Sequence, residues 1–427
     1  MQRYWLSLAC SIALSVCVAT GACGNDPGFQ PETDASSVDA ATGPLDASTD
    51  RPSNVLRGIA VVNSDYQSTS VSFLDRNGNL LQDGCFGGGA DALGPSPTLS
   101  GDVVLPTQVP AGGPVAIIDR GHNALTWLDP TTCAPLGQLA VDTGFAADPH
   151  DVVTLSAAKA YVTRHAENTA PGSEDFDEGD DLLVIDPTQP TILGRIDLAP
   201  YAPAGVLPCA DRAVLAEGRV YVSLNAISLD LKTYGTGRVV IVDPVTDQIV
   251  SMIDLPGAKN CGAMTYLPAD KRLMVVCGGA QVDGPMQSDS SSIVVIDVSV
   301  SPPAAIGKIA AATVGGLPFS NTSLAAWDAK TAIGVTLGNP LNLPPDRLWS
   351  LPLDGVLPFK MFESTEVSAL GAVLVDADKG HVLVADGTTK TPAFLRVFEL
   401  APGTFVASNL VSTNPSQGLP PRALAWY

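Results

Sequence analysis

The sequence predicts an all-β fold: a seven-bladed β-propeller of four-stranded antiparallel blades, closed by the C-terminal strand joining the first blade. Three observations predict it. A short aliphatic run ending in an acidic residue recurs seven times. Glycine (40) and proline (35) are plentiful in the 427 residues, as many short elements joined by turns require. One further apolar run, Pro421 to Tyr427, follows the last repeat.

The repeat begins with Val71-Ser72-Phe73-Leu74-Asp75, and Leu125 to Asp129, Leu182 to Asp186, Val239 to Asp243 and Ile293 to Asp297 repeat it. Leu348 to Asp354 and Leu395 to Glu399 are weaker copies. Counted from Asp75, the terminal acidic residues are 54, 57, 57, 54, 57 and 45 residues apart. A unit of this size cannot bury its apolar faces alone, but it can bury them against its neighbours.

The fourth unit shows what each one contains. Ala213 to Leu215 reads as a strand, turned at Glu217-Gly218, and Arg219 to Leu224 reads as the next. A polar loop over 225–237 leads to a third strand over 238–243 and a fourth over 249–255. The strand-end Asp reads as a turn residue whose carboxylate caps the following amides. The first unit, from Arg57, has only three such runs. The terminal run supplies the fourth, and pairing the two ends removes an exposed edge.

The N-terminal segment carries a different signal. Arg3, the apolar run Tyr4 to Val18, and Ala19-Thr20-Gly21-Ala22 before Cys23 form a bacterial secretory signal over 1–22. Small residues directly before a cysteine resemble a lipoprotein processing site, so Cys23 is the expected lipidation point. Gly24, rather than Asp, favours the outer membrane of the bacterial cell envelope. Residues 23–54 are rich in Asp, Ala, Ser and Thr and read as a disordered acidic linker. The propeller is expected over 55–427.

The net charge of −21 argues against nucleic acid as a partner. An envelope protein or a small molecule is the expected partner, with the membrane reached through the lipid. No haem-attachment, P-loop, zincin or nucleophile-elbow motif occurs, and no sialidase-type Asp box.

The candidate site comes from the repeat. His150 opens the inner strand of the third unit, and Arg164-His165 ends the antiparallel partner strand. Both positions fall at one rim of the central channel. Asp151, Glu167, Asp211, Arg212, Asn225, Asn260 and Asn339 take comparable positions. A ring of His, carboxylate and Arg can hold a metal, with His150 and His165 as ligands, or an anionic small molecule. The loop 166–181, with Glu167, Glu174, Asp175, Asp177, Glu178, Asp180 and Asp181, offers hard oxygen ligands suited to calcium. A solvated acidic face accounts for the same composition. No cofactor is otherwise implied beyond calcium or a divalent transition metal.

The cysteines leave two pairings open. Cys261 and Cys277 flank the turn at Pro268 to Lys271, within one residue of direct opposition, so a cross-strand disulfide fits. Cys209 holds the place of Cys261 one unit earlier and is the rival partner.

Ala160-Tyr161-Val162-Thr163-Arg164 with Leu183-Val184-Ile185-Asp186-Pro187 resembles the YVTN/YncE-like family of β-propeller repeats. Val220-Tyr221-Val222-Ser223 with Val240-Ile241-Val242-Asp243-Pro244, and Leu273 to Val276 with Val294 to Asp297, carry the same likeness. The resemblance implies an exported, seven-bladed binding or scaffold protein, and it brings no catalytic motif. The expectation is a lipid-anchored envelope propeller acting as a non-enzymatic binding module. The alternative is a metal-dependent, lactonase-like hydrolase using His150, His165, Asp151 and Glu167 at the rim.

Overall fold

The structure is a computed structural model that describes residues 57–88, 94–281, 284, 286–339, 344–388, 393–401 and 404–427. The signal segment, Cys23 and the linker lie outside the described residues. Seven four-stranded antiparallel sheets follow one another along the chain, as expected for seven blades. Blade 4 comprises Ala210–Ala216, Arg219–Leu224, Gly237–Asp243 and Gln248–Leu255, close to the runs read from sequence. Blade 1 comprises Gly58–Ser64, Thr69–Asp75 and Leu80–Gly87, with Pro421–Trp426 as its innermost strand. Their register runs from Ile59 opposite Trp426 to Asn63 opposite Pro421, which closes the ring.

Burial explains the sequence pattern strand by strand. Val220 to Leu224, a second strand, is fully buried, while the outermost strand Gln248–Leu255 alternates exposed and covered residues. The core sits between blades. One cluster joins Val214, Tyr221 and Ile241 of blade 4 to Met264, Leu273 and Val294 of blade 5. Each blade therefore supplies half of two cores, and its middle strands need apolar side chains on both faces.

The strand-end aspartates cap turns. Asp75, Asp129, Asp186, Asp243 and Asp297 each accept from the backbone N–H two residues on, at 2.7–2.9 Å. At Asp297 hydrogen bonds from Ser299, with Arg272 adding to them, hold the carboxyl down to about 2.

Among the described residues two disulfides form, Cys85–Cys133 and Cys261–Cys277, and Cys209 is a buried free thiol. The second is the cross-strand pair, and it excludes the rival pairing of Cys209 with Cys261. The first ties blade 1 to a turn of blade 2 and was not read from sequence. Its cysteines are 48 residues apart, and neither occupies a repeated place. Gly237 accommodates the cross-strand bridge, because a Cβ there would lie 2.2 Å from the Cys261 sulfur.

A local irregularity repeats and decides what the channel sees. The inner strands of blades 3 to 7 each shift register just after they start, at 149/151, 210/213, 261/264, 319/324 and 370/373. A bulge releases residues from the ladder and re-aims their side chains. The released residues include His150, Asp211, Arg212, Gly262 and Asn321.

Candidate functional site at the channel mouth

The bulges gather the polar residues at one mouth of the channel, where the inner strands begin. Here His150 Nδ1 lies 2.8 Å from Asp211 Oδ1, and its Nε2 lies 3.3 Å from Asp148 Oδ2. His165 Nε2 lies 2.9 Å from Asn225 Oδ1, and its Nδ1 lies 3.8 Å from Asp148 Oδ2. The two imidazoles stack, with centroids 4.3 Å apart and planes 9° from parallel. Among the described residues, Asp148, His150 and His165 are the His, Cys, Asp or Glu side chains whose ligand atoms converge, all within 4.8 Å.

Neighbouring groups hold this cluster in place. Arg120 Nε donates to Asp148 Oδ1 at 2.8 Å. Asn225 Nδ2 donates to Asp211 Oδ2 at 3.1 Å and to the Cys261 carbonyl at 2.7 Å. Arg212 Nη1 donates to the carbonyls of His150 and Leu105, at 3.0 and 3.2 Å. Gly262 leaves room for Asp211, since a Cβ there would meet Asp211 Oδ2 at 2.5 Å and the Asn321 carbonyl at 2.4 Å.

The electrostatics differ from residue to residue. Burial and Arg120 pull the His150 pKa down, but the carboxylates of Asp148 and Asp211 outweigh them and raise it. His165 gains less from those carboxylates, and burial with the His150 charge pushes it down to about 4. Burial favours a protonated Asp148, yet His150 and Arg120 hold it well below the usual carboxylate range. Asp211 is likewise lowered by His150 against the cost of burial. The two stacked imidazoles are therefore shifted in opposite directions, His150 up and His165 down. Functional sites arrange burial and neighbouring charges to produce such shifts, as structural ion-pair networks also do.

The residues read from sequence divide as follows. His150, His165, Asp211 and Asn225 meet at the mouth. Arg212 borders it, bound to backbone carbonyls. Asn260 lies further round the ring, its Oδ1 accepting from Asn321 Nδ2 at 3.1 Å. Asn339 sits half-buried in blade 6, outside the cluster.

Arg164 is placed differently from the expected rim ligand. It is fully buried and forms a two-pronged pair with Asp181, at 2.7 and 2.6 Å. It also donates to the Phe176 carbonyl and Thr143 Oγ1, both at 2.6 Å. The strand pleat accounts for this, since adjacent residues point to opposite sides. His165 takes the channel side just past the strand end, and Arg164 turns into the blade.

Asp151 is also a structural tie. Fully buried, it accepts from the backbone N–H of Thr107, Val152 and Ala213 at 2.8–2.9 Å. It joins blades 3 and 4 to the segment after the short inner strand Val103–Val104 of blade 2. Glu167 is half-buried and pairs through its backbone with Gly179, apart from the histidines.

In the acidic loop, Asp181 serves Arg164 and Arg195, and Asp177 accepts from the Gly172 N–H. Those carboxylates do not converge as cation ligands among the described residues. Asp180 is buried, with no partner for its Oδ1. Burial, then Glu167 and Asp181, push it up to about 7.

This sets a pH dependence. A raised carboxyl keeps its proton in the folded state, so its contribution is complete below the unfolded value near 4. It is lost as pH rises through about 7. Asp180→Asn should melt with the wild type below pH 4 and above it at pH 8, the gap opening between those values. Melting curves that stay parallel between those values would reject this.

Sequence reasoning missed Asp148 and Arg120 as site residues. Asp148 had a readable signal. It stands two residues before His150, as Cys209 stands before Asp211 and Asn260 before Gly262. All three residues have positive φ, at 49°, 50° and 57°. Arg120 had none, because it comes from a second-to-third strand turn of blade 2.

No protein-family model matches this chain, and no curated protein matches it. Solved structures match it at the level of fold. A hypothetical selenium-binding protein from Sulfolobus tokodaii is similar with a TM-score of 0.57 at 10% identity, covering 87% of this chain and 93% of that one. A candidate 6-phosphogluconolactonase from Bacteroides fragilis gives 0.51 at 11%, covering 88% and 99%. Another from Bacteroides uniformis gives 0.52 at 10%, covering 87% and 100%. At such identities the likeness shows the propeller alone.

Proposed function

We propose that this chain is an exported, lipid-anchored protein of a bacterial envelope that acts as a non-enzymatic binding module and takes a small ligand at the channel mouth. One observation carries the reading. The mouth gathers Asp148, His150, His165, Asp211 and Arg120 into one largely buried network whose ligand atoms converge at Asp148, His150 and His165. Two imidazoles and a carboxylate that converge in this way offer ligand atoms to a small molecule or ion. The secretion signal and Cys23 support the location, and the outer membrane is the expected surface.

Thermal melting of the purified chain tests the reading. Small carboxylates, phosphate and divalent cations are added one at a time. A ligand at a hundred times its Kd stabilises by about 2.7 kcal/mol, which raises the Tm measurably. A rise that His150→Ala removes supports the reading, and no rise with any probe rejects it.

A hydrolase is the second reading, favoured by the Asp211–His150 pair. A carboxylate holding one imidazole nitrogen leaves the other to act on water. Turnover of a lactone that is lost in His150→Ala would establish it in place of the first reading.

A further inference from the structure

Resting on the reading of the channel mouth as a binding site, we infer that its ligand is a single divalent transition-metal ion. Asp148 Oδ2, His150 Nε2 and His165 Nδ1 are its protein ligands.

The first argument is spacing. Ligand atoms about 2.0–2.1 Å from a shared ion lie roughly 3.0–3.4 Å from one another. Asp148 Oδ2 is 3.3 Å from His150 Nε2 and 3.8 Å from His165 Nδ1. All three ligand atoms lie within 4.8 Å of one another, and binding one ion requires the stacked imidazoles, 9° from parallel, to rotate out of the stack as His165 closes on Asp148.

The second argument is the outer face of each imidazole. A ligating histidine presents a lone pair inward and donates its other N–H to a fixed acceptor. Asp211 Oδ1 is that acceptor for His150 Nδ1 at 2.8 Å, and Asn225 Oδ1 for His165 Nε2 at 2.9 Å. The Asn225 amide cannot serve in the flipped sense, because its Nδ2 already donates to Asp211 and to the Cys261 carbonyl. Both acceptors therefore direct the free nitrogens at Asp148.

The third argument concerns Asp148 itself. Arg120 occupies its Oδ1 at 2.8 Å, which leaves Oδ2 as a one-oxygen ligand. Two imidazoles and one carboxylate oxygen suit zinc, copper, nickel or cobalt. Calcium and magnesium prefer sets made of oxygen. Three protein ligands also leave coordination positions open to the channel, next to the Arg120 cation, where an anion can complete the shell.

The test uses the purified, metal-stripped chain titrated with Co²⁺ and with Zn²⁺. One equivalent of Co²⁺ should bind with visible absorption from a nitrogen–oxygen site, and Zn²⁺ should displace it. His150→Ala and His165→Ala should each lower affinity at least 100-fold, and His381→Ala, in blade 7, should leave it unchanged. Asp211→Asn, which keeps the shape but weakens the acceptor, should lower affinity about 10- to 100-fold and alter the Co²⁺ spectrum. Circular dichroism verifies that each variant is folded. Should a variant misfold, Zn²⁺ raising the wild-type Tm while Mg²⁺ does not supports the same site.

No stoichiometric Co²⁺ or Zn²⁺ binding by folded wild type overturns the metal assignment, as does binding that both histidine variants retain. If another probe still raises the Tm through His150, the binding-module reading survives that failure. If no probe does, both fall together.

Discussion

Arg164→Met should destabilise the propeller by about 3–5 kcal/mol, read as a lowered urea midpoint with an unchanged slope. Arg164 and Asp181 are both fully inaccessible, so neither charge can be solvated in place. The guanidinium satisfies Asp181, the Phe176 carbonyl and Thr143 Oγ1, and it lies over the Phe145 ring at 4.7 Å. Methionine fills similar volume but leaves the buried Asp181 carboxylate short of donors, while the Phe176 carbonyl keeps the Thr143 hydroxyl at 2.6 Å. Arg195, whose Nε also reaches Asp181 at 2.8 Å, offsets part of the loss. Arg164→Met combined with Asp181→Leu should recover stability relative to the single variant, because no unpaired charge then remains. A single-variant loss below about 1 kcal/mol would mean that Arg195 alone satisfies Asp181.

Removing Pro421 to Tyr427 should abolish cooperative folding. The strand pairs with Gly58–Ser64 and packs Leu424 against blade 7. Tyr427 meets Phe73 edge-on at 5.3 Å. Uncovering side chains such as Leu424 and Tyr427 costs about 2–3 kcal/mol each. Five residue pairs of the ladder go with them, and blade 1 is left with an open edge beside blade 7. The total approaches the 5–15 kcal/mol that holds a typical domain. The expected product is insoluble or melts without a sharp transition. A truncated chain that melts cooperatively at the wild-type temperature would show that the ring does not depend on this closure.

The repeat made the fold legible. Aliphatic runs at fixed spacing identified the blades because middle strands are buried on both faces, and a unit with three runs exposed the closing strand. The site was legible in part. His150, His165, Asp211 and Asn225 were found because they occupy equivalent places in successive blades. Arg164 was misplaced because one residue along a strand reverses its side, and position in the repeat does not show the pleat at a strand end. Arg120 and the Cys85–Cys133 bridge arise where blade 2 departs from the repeat, so repeat alignment had nothing to compare. The rivalry between Cys209 and Cys277 is settled by register, with Cys261 directly opposite Cys277.

The way the chain enters the ring has a directional consequence. Every inner strand starts at the mouth that holds the histidines, and Pro421–Trp426 does the same. Gly58 pairs at the other end, where Arg57 N–H donates to the Tyr427 carbonyl at 2.6 Å. Arg57, the first described residue, therefore lies at the end of the ring opposite the histidine mouth. Whatever enters the histidine mouth meets neither end of the described ring, since Arg57 and Tyr427 close on the opposite side.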